Sequence, residues 1–285
     1  MVQIAKLHQY THGASGMFGL LHCMHTRWDK CPTGWQGSFK GRTGHPSIVL
    51  EAACDHHCFF WHLDYGHAGT NNDINVLNAS DFYQSFLDGR MEQLEKDVVP
   101  FKIGSESFQK MFVLVDGAYP KFDRFVKPLM CPILREERKF SDWQSAARKD
   151  IERAFGILQG MFQAVARPFR ALKITDIATM VKCCLCLHNM CMADRVMHGD
   201  VNADYDPAHD LDTVEAEVQQ CALFRRIYRQ ERRSVKGIGV ADAIITNPAV
   251  YKAVTRRERF LKMSDVKEND RLFQALMDRF KTTTD

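Results

Sequence analysis

The sequence has no apolar run long enough to cross a bilayer, and its first residues lack the apolar core of a signal peptide. Its most apolar helical stretch, residues 180–192, is interrupted by Lys182, His188 and Asn189. The ten cysteines follow no regular framework, which argues against the disulfide-stapled scaffold of a small secreted protein. We therefore expect an intracellular protein that does not enter the membrane.

The chain also lacks internal repeats and a strong excess of charge, since the formal net charge is +3 over 285 residues. This length allows one large domain or two small ones, each with a hydrophobic core. A slightly positive charge is compatible with nucleic-acid binding but does not require it.

Apolar and β-branched segments predict strands at residues 17–24, 47–54, 58–66 and 111–116. The second and third are separated by a short polar turn, which predicts a hairpin. That turn lies in "CDHHC", whose residue types can bind zinc. Because the spacing fits no known zinc site, we favour a polar hairpin tip.

Two long helices follow the last strand. Ser141 and Gln144 have the spacing of a capping box and predict a helix over residues 141–165. A second helix is predicted over residues 174–197, where four cysteines are interpreted as small buried hydrophobes and His188 as a hydrogen-bonded core histidine. A short helix capped by Asn72 or Asp73 is also predicted. Strands and helices in this order indicate an α/β fold with one sheet.

The character of the sequence changes after this domain, which we assign to residues 1–199. Residues 200–220 are acidic and poor in apolar side chains, as in a linker, and residues 221–285 form a basic, partly helical tail. The basic tail is compatible with phosphate contacts or with a solvated helix face. The arginines concerned include Arg225, Arg226 and Arg229.

Two acidic residues, Asp116 and Glu152, stand at positions where they could act as metal ligands. Asp116 ends the strand "FVLVD" and precedes a glycine, which is compatible with a metal ligand or with an Asx turn. Glu152 lies inside the first long helix, where Arg148 offers a surface ion pair but Gly156 leaves space beside the carboxylate. Carboxylates that converge on Mg²⁺ are the basis of two-metal phosphodiester chemistry, although two acids alone are a weak signal.

Several segments, spread over roughly residues 13–195, resemble the nuclease domain of PIF/Harbinger-type DNA transposases of the DDE superfamily. They are "GMFGLLHCMHTRW", "CPTGWQGSFKG", "HPSIVLEA", "WHLDYGHAGTNNDINVLN", "VDGAYP", "RKDIERAFGILQ" and "CCLCLHNM". The resemblance implies an RNase H-like mixed sheet with flanking helices. It also implies a nuclear protein in which water, and later a DNA 3′-hydroxyl, attacks a backbone phosphate with Mg²⁺ or Mn²⁺ bound.

The resemblance makes Asp116 the second catalytic acid and Glu152 the third, both as metal ligands, and makes Asp73 a further motif acid. The slot of the first catalytic Asp is occupied by His22. Imidazole offers one nitrogen and cannot bridge two ions as a carboxylate does, so we expect very weak or absent cleavage in Mg²⁺. Residual activity, where there is any, is expected in Mn²⁺.

Three interpretations of function stay open from the sequence. The chain is an impaired DNA nuclease, a non-catalytic DNA- or chromatin-associated protein recruited from a transposase, or a decaying element copy. Lys149 and Arg153 flank Glu152 and are predicted to contact DNA phosphates. The helical DNA-binding region that such transposases carry upstream has no counterpart in the resembling segments, so we expect a separate DNA-binding partner. Assembly as a homo-oligomer is also compatible with the family.

Overall fold

A five-stranded mixed sheet forms the centre of the computed structural model, which describes residues 2–95, 100–198 and 266–280. The strands of the sheet are β1 (Met17–Arg27), β2 (Ser47–Cys54), β3 (Phe60–Ala68), β6 (Phe112–Leu114) and β7 (Phe125–Val126). A separate two-stranded ribbon is formed by β4 (Phe101–Ile103) and β5 (Glu106–Phe108).

The strand order in the sheet is β3-β2-β1-β6-β7. The first three strands are antiparallel neighbours, whereas β6 runs parallel to β1 and β7 runs parallel to β6. All eight residues of β2 are buried, as expected of a central strand with both faces covered. The fold is therefore α/β, with the mixed sheet and flanking helices of an RNase H-like domain, as predicted.

Helices cover both faces of this sheet. They are α1 (Val2–His12), α2 (Gln36–Phe39), α3 (Asp73–Ala79), α4 (Asp81–Leu87), α5 (Arg90–Leu94), α6 (Arg135–Met161), α7 (Gln163–Ala166), α8 (Ile174–His198) and α9 (Val266–Asp278). Leu20 of β1 belongs to the core formed with α6 and α8, whereas Leu21 belongs to the core formed with α4. Successive side chains of β1 therefore point to opposite faces of the sheet and pack in two separate cores.

The predicted hairpin is confirmed, and its turn lies inside "CDHHC". Asp55 accepts a hydrogen bond from the Phe59 amide at 3.1 Å, and Cys58 adopts a positive φ of 60°. Since β2 ends at Cys54 and β3 begins at Phe60, Cys54, His56 and Cys58 do not line one face of a continuous strand. The run therefore forms the tip of a hairpin and not a continuous strand.

The start of the first long helix was predicted incorrectly. Helix α6 begins at Arg135, where the carboxylate of Glu137 accepts hydrogen bonds from the backbone amides of Ile133 (2.7 Å) and Leu134 (3.0 Å). Ser141 and Gln144 are buried inside the helix, where their side chains bond to neighbouring loops and strands instead of capping it. The apolar residues that recur at helical spacing along α6, namely Ala147, Ile151, Ala154 and Leu158, are buried.

Helix α8 confirms one of two predictions made for it. His188 is fully buried, and its Nε2 donates a hydrogen bond to the Cys58 carbonyl at 2.8 Å, as expected of a core histidine. The cysteines behave differently, because Cys184 is buried while Cys183 and Cys186 are exposed. Successive residues of a helix are rotated by about 100° from one another, so neighbouring cysteines cannot all face the core.

Helix α9 packs on the same core as α6, which the sequence did not predict. Leu272, Ala275 and Leu276 are buried in that core, and the buried Asn269 side chain donates to the backbone carbonyls of Phe122 and Phe125. The last part of the predicted basic tail is therefore packed on the domain.

The predicted acidic linker and Arg225, Arg226 and Arg229 lie outside the described residues. Within the described ranges, no helix has both the length and the apolar character that a membrane span requires.

Candidate functional site

His22 and Asp116 lie at the same level of neighbouring parallel strands. The register pairs Leu20 of β1 with Leu114 of β6, and His22 and Asp116 stand two residues further along their chains. Strand β6 ends at Leu114, so Asp116 belongs to the turn that follows it and not to the strand as predicted. Because the two strands run parallel, this register continued past Leu114 brings Asp116 beside His22, where β6 has ended and β1 continues to Arg27.

The turn after β6 fixes the backbone around Asp116. The Asp116 carboxylate accepts a hydrogen bond from the Gly117 amide at 2.6 Å, and its carbonyl accepts one from the Tyr119 amide at 3.2 Å. Lys127 donates from its ammonium to the Tyr119 carbonyl, which ties the turn to the chain beyond β7. A hydrogen-bonded backbone turn therefore begins at Asp116, but its carboxylate bonds to the next amide and not to the amide two residues on that defines an Asx turn. Asp116 is half-buried in this turn.

Glu152 projects from the middle of α6, with its side chain 50% exposed. Arg148, one turn earlier, forms an ion pair with it at 3.1 Å between Nη1 and Oε1. A Cβ placed on Gly156 would meet no heavy atom within 4 Å, so the space beside the carboxylate is open as predicted. Both sequence-based interpretations of Glu152, surface ion pair and open acid, describe features that are present together.

Asp73 is the first residue of α3, and the side chain of Asn72 caps this helix by accepting from the Asn75 amide at 2.8 Å. The capping prediction is thereby confirmed for Asn72. Asp73 reaches back to β1, where it interacts with the thiol of Cys23. The pKa of that thiol is raised above its ordinary value, first by burial and then by the negative charge of Glu51.

The charges of Asp73, Asp116 and Glu152 all act on the imidazole of His22. The pKa of the His22 imidazole is lowered, first by burial and then by the charge of Arg148, while Asp73, Asp116 and Glu152 oppose this shift. Each of these charges therefore lies close enough to act on the ring. The Nδ1 atom of His22 is buried and has no hydrogen-bond partner among the described residues.

The residue types in this set are ligands of divalent ions. An unpartnered imidazole nitrogen beside carboxylates suits Mn²⁺ or Zn²⁺ better than Mg²⁺, which prefers oxygen ligands. The lowered pKa also favours the neutral ring over the protonated form that would repel a cation. Among the described residues, however, no three ligand atoms of this set lie within 4.8 Å of one another. Binding an ion would therefore require Glu152, which is half exposed, to leave Arg148 and turn toward the strands.

The two basic residues beside Glu152 have different surroundings. Lys149 is exposed on α6. Arg153 is held by protein acceptors, since its Nη2 donates to the His56 carbonyl at 2.6 Å and lies 3.2 Å from the Asp150 carboxylate. Contact with DNA phosphates stays a prediction for both residues.

Two further residues shape the site, of which Gln144 was identified from the sequence only as part of a predicted helix cap and Lys127 was not identified at all. The Gln144 amide donates to the carbonyl of Val115, the residue before Asp116, at 2.9 Å. Lys127 lies near enough to Asp116 for that carboxylate to oppose the lowering of its pKa, which is caused first by burial. The position of Gln144 in the middle of an amphipathic helix, four residues before Arg148, was the signal that could have indicated this buried role instead of a cap.

Comparison with known proteins gives one family. The family model described as "Plant transposon protein" matches residues 1–198, which include every residue of the candidate site. No curated protein and no solved structure matches the chain. Since the matched segment covers more than half of the 285 residues, the chain belongs to the plant transposon protein family.

Proposed function

We propose that this chain carries the nuclease domain of a PIF/Harbinger-type transposase of the DDE superfamily, acting on DNA in the nucleus. The observation that carries the proposal is the meeting of His22 on β1 with the charges of Asp73, Asp116 and Glu152. These acids come from three other segments of the chain, and the sheet register accounts for the adjacency of His22 and Asp116.

In this proposal Asp116 and Glu152 hold Mg²⁺ or Mn²⁺, with His22 in the position of the first acid. Bound divalent ions would stabilise the charge that develops on the attacking and leaving oxygens of a phosphodiester. The turn at Gly117 and the bond from Gln144 position Asp116, while the open space at Gly156 gives a DNA strand access to Glu152.

Cleavage by the native chain is expected to be weak. His22 supplies one nitrogen where a carboxylate would supply two anionic oxygens, and Mg²⁺ disfavours nitrogen. Arg148 adds a second obstacle, since it already neutralises Glu152 at 3.1 Å. We therefore propose very low activity in Mg²⁺ and any residual activity in Mn²⁺.

The second candidate function is a non-catalytic DNA- or chromatin-associated protein, and the Arg148–Glu152 ion pair beside His22 favours it. A site without its first acid, in which the third acid is already paired with a cation, can persist without binding metal. In either function DNA is the proposed ligand, with Lys149 and Arg153 as proposed phosphate contacts. A separate DNA-binding protein and a second copy of the chain are the proposed partners.

Mn²⁺ binding separates the two functions without depending on DNA. We expect the full chain to bind Mn²⁺, detected by the loss of the free-ion electron paramagnetic resonance signal. Asp116→Asn and Glu152→Gln should each weaken binding at least tenfold, whereas the matched surface variant Asp81→Asn should not. Equal Mn²⁺ affinity in all four proteins would reject the metal site and leave the non-catalytic function.

A further inference from the structure

A second group of ligand side chains lies on the opposite side of α6 from Glu152. His12 at the end of α1, His56 in the β2–β3 turn and Asp150 on α6 each offer one atom, and these atoms all lie within 4.8 Å of one another. Asp150 precedes Glu152 by two positions, which is a rotation of about 200° around the helix. The group is therefore distinct from the proposed catalytic site.

The contacts within this group centre on one carboxylate oxygen. Oδ2 of Asp150 lies 2.9 Å from His12 Nε2 and 2.8 Å from His56 Nδ1. The other oxygen, Oδ1, lies 3.2 Å from the guanidinium of Arg153. Because Arg153 holds Oδ1, the oxygen that faces both imidazoles is kept oriented as a ligand would be by an outer hydrogen-bonding partner.

His8 provides an independent observation. It is fully buried, one helical turn before His12, and the two rings stack with their centroids 5.6 Å apart. Neither ring nitrogen of His8 has a hydrogen-bond partner among the described residues. Burying an imidazole in this way is unfavourable unless its nitrogens find a partner. A bound metal ion at the adjacent group would supply one.

We propose that His12, His56 and Asp150 bind a structural zinc ion, with His8 as the source of a fourth ligand. Two imidazole nitrogens and one carboxylate oxygen are ordinary zinc ligands. Zinc bonds of about 2.0–2.1 Å in a tetrahedral site place ligand atoms roughly 3.3 Å apart, so the atoms need to shift only slightly.

The ion would join three elements that are distant in the sequence. The end of α1 already rests on α6, since the Trp143 indole donates to the His12 carbonyl at 2.9 Å. Asp150 is buried, and the side chains of His12 and His56 are 13% and 18% exposed, which leaves little room for substrate. A closed site of this kind stabilises the fold and fixes α6, independently of any catalysis at Glu152.

The test is a zinc titration of the metal-stripped full chain against a chromophoric chelator. We expect one tightly bound ion per chain, a rise in Tm on zinc addition, and a loss of affinity of at least tenfold in His12→Ala and His56→Ala. His45→Ala, which removes a loop histidine elsewhere, and Glu152→Ala, which alters the proposed catalytic site, should bind zinc as the native chain does. Absence of tight binding would overturn the proposal, and so would loss of binding in Glu152→Ala but not in His56→Ala.

A measurement on the native protein alone guards against variants that fail to fold. X-ray absorption at the zinc edge should show nitrogen and oxygen neighbours with the multiple scattering of imidazole rings. A zinc–sulfur shell would overturn the assignment, since it would place the ion on cysteines such as Cys54 or Cys58. With His8→Ala, the visible spectrum of the Co²⁺-loaded protein should change while binding persists, and an unchanged spectrum would remove His8 from the ligand set.

Discussion

The side-chain amide of Gln144 donates a hydrogen bond of 2.9 Å to the backbone carbonyl of Val115. This bond joins the helix that carries Glu152 to the chain immediately before Asp116. The same amide also donates to the Val126 carbonyl at 3.2 Å, so one buried side chain links α6 to the ends of both β6 and β7. The relative position of the two motif acids therefore depends on a residue that is not itself an acid.

Replacing Gln144 by the similarly sized Met should remove both hydrogen bonds while keeping the packing. The Val126 carbonyl keeps its bond from the Val115 amide, whereas the Val115 carbonyl loses the bond from Gln144. An unsatisfied buried carbonyl costs about 1–3 kcal/mol, so the free energy of unfolding should fall by that amount in urea titration. The exposed neighbour Ser145→Ala should change it by less than about 0.5 kcal/mol. Equal stability of Gln144→Met and native protein would contradict this role.

His188 should make stability depend on pH. Burial lowers the pKa of its imidazole in the folded protein below the ordinary value. Below about pH 6.5 the unfolded chain binds a proton that the folded protein does not, so stability is present above that pH and is lost as the pH falls. One such group contributes a slope of up to about 1.4 kcal/mol per pH unit.

The measurement for His188 is the free energy of unfolding at several pH values between 7 and 5. His188→Gln, which can still donate to the Cys58 carbonyl, should show a shallower decline than the native chain. His45→Gln, which replaces a loop histidine, serves as the matched control and should decline as the native chain does. Parallel curves for native and His188→Gln protein would show that His188 does not carry this dependence.

Arg148→Ala should strengthen divalent-ion binding at the proposed catalytic site. The change frees Glu152 from its ion pair and removes the positive charge that helps to lower the pKa of His22. Removing one partly screened charge is worth roughly 1 kcal/mol, which corresponds to about fivefold in Mn²⁺ affinity. Arg138→Ala removes an exposed arginine three turns earlier on α6 and should leave the affinity unchanged. Weaker binding in Arg148→Ala would mean that this arginine supports the site.

The sequence predicted the presence of the strands and long helices better than the residues at which they begin and end. The hairpin of β2 and β3 and the buried stripe of α6 follow from periodic apolar residues, which tertiary contacts reinforce. Ser141 and Gln144 had the pattern of a helix start, but Glu137 satisfies the first amides and releases both residues for buried hydrogen bonds. Local spacing cannot distinguish a cap from a buried donor, because the distinction depends on what packs against the helix.

The residues of the proposed catalytic site could be identified from the sequence, whereas those of the proposed zinc site could not. Asp116 and Glu152 were identified by motif, and the adjacency of Asp116 to His22 follows from a parallel pairing that motif order implies. His12 and Asp150 stand 138 positions apart, and no local pattern connects them. The only local signal was the spacing of His8 and His12 by one helical turn, which places both on one face of α1. That spacing indicates a ligand pair only once the structure shows that α1 ends against α6.

The central claim is that a DDE-type nuclease site is present and is impaired by His22. The most direct measurement is the nicking of supercoiled plasmid by His22→Asp in Mg²⁺, beside the native chain and the double variant His22→Asp/Glu152→Ala. We predict that His22→Asp nicks DNA, that the double variant does not, and that the native chain is nearly inactive in Mg²⁺. Strong Mg²⁺-dependent nicking by the native chain, abolished by Glu152→Ala, would contradict the claim that His22 impairs the site. No nicking by His22→Asp would contradict the presence of a nuclease site.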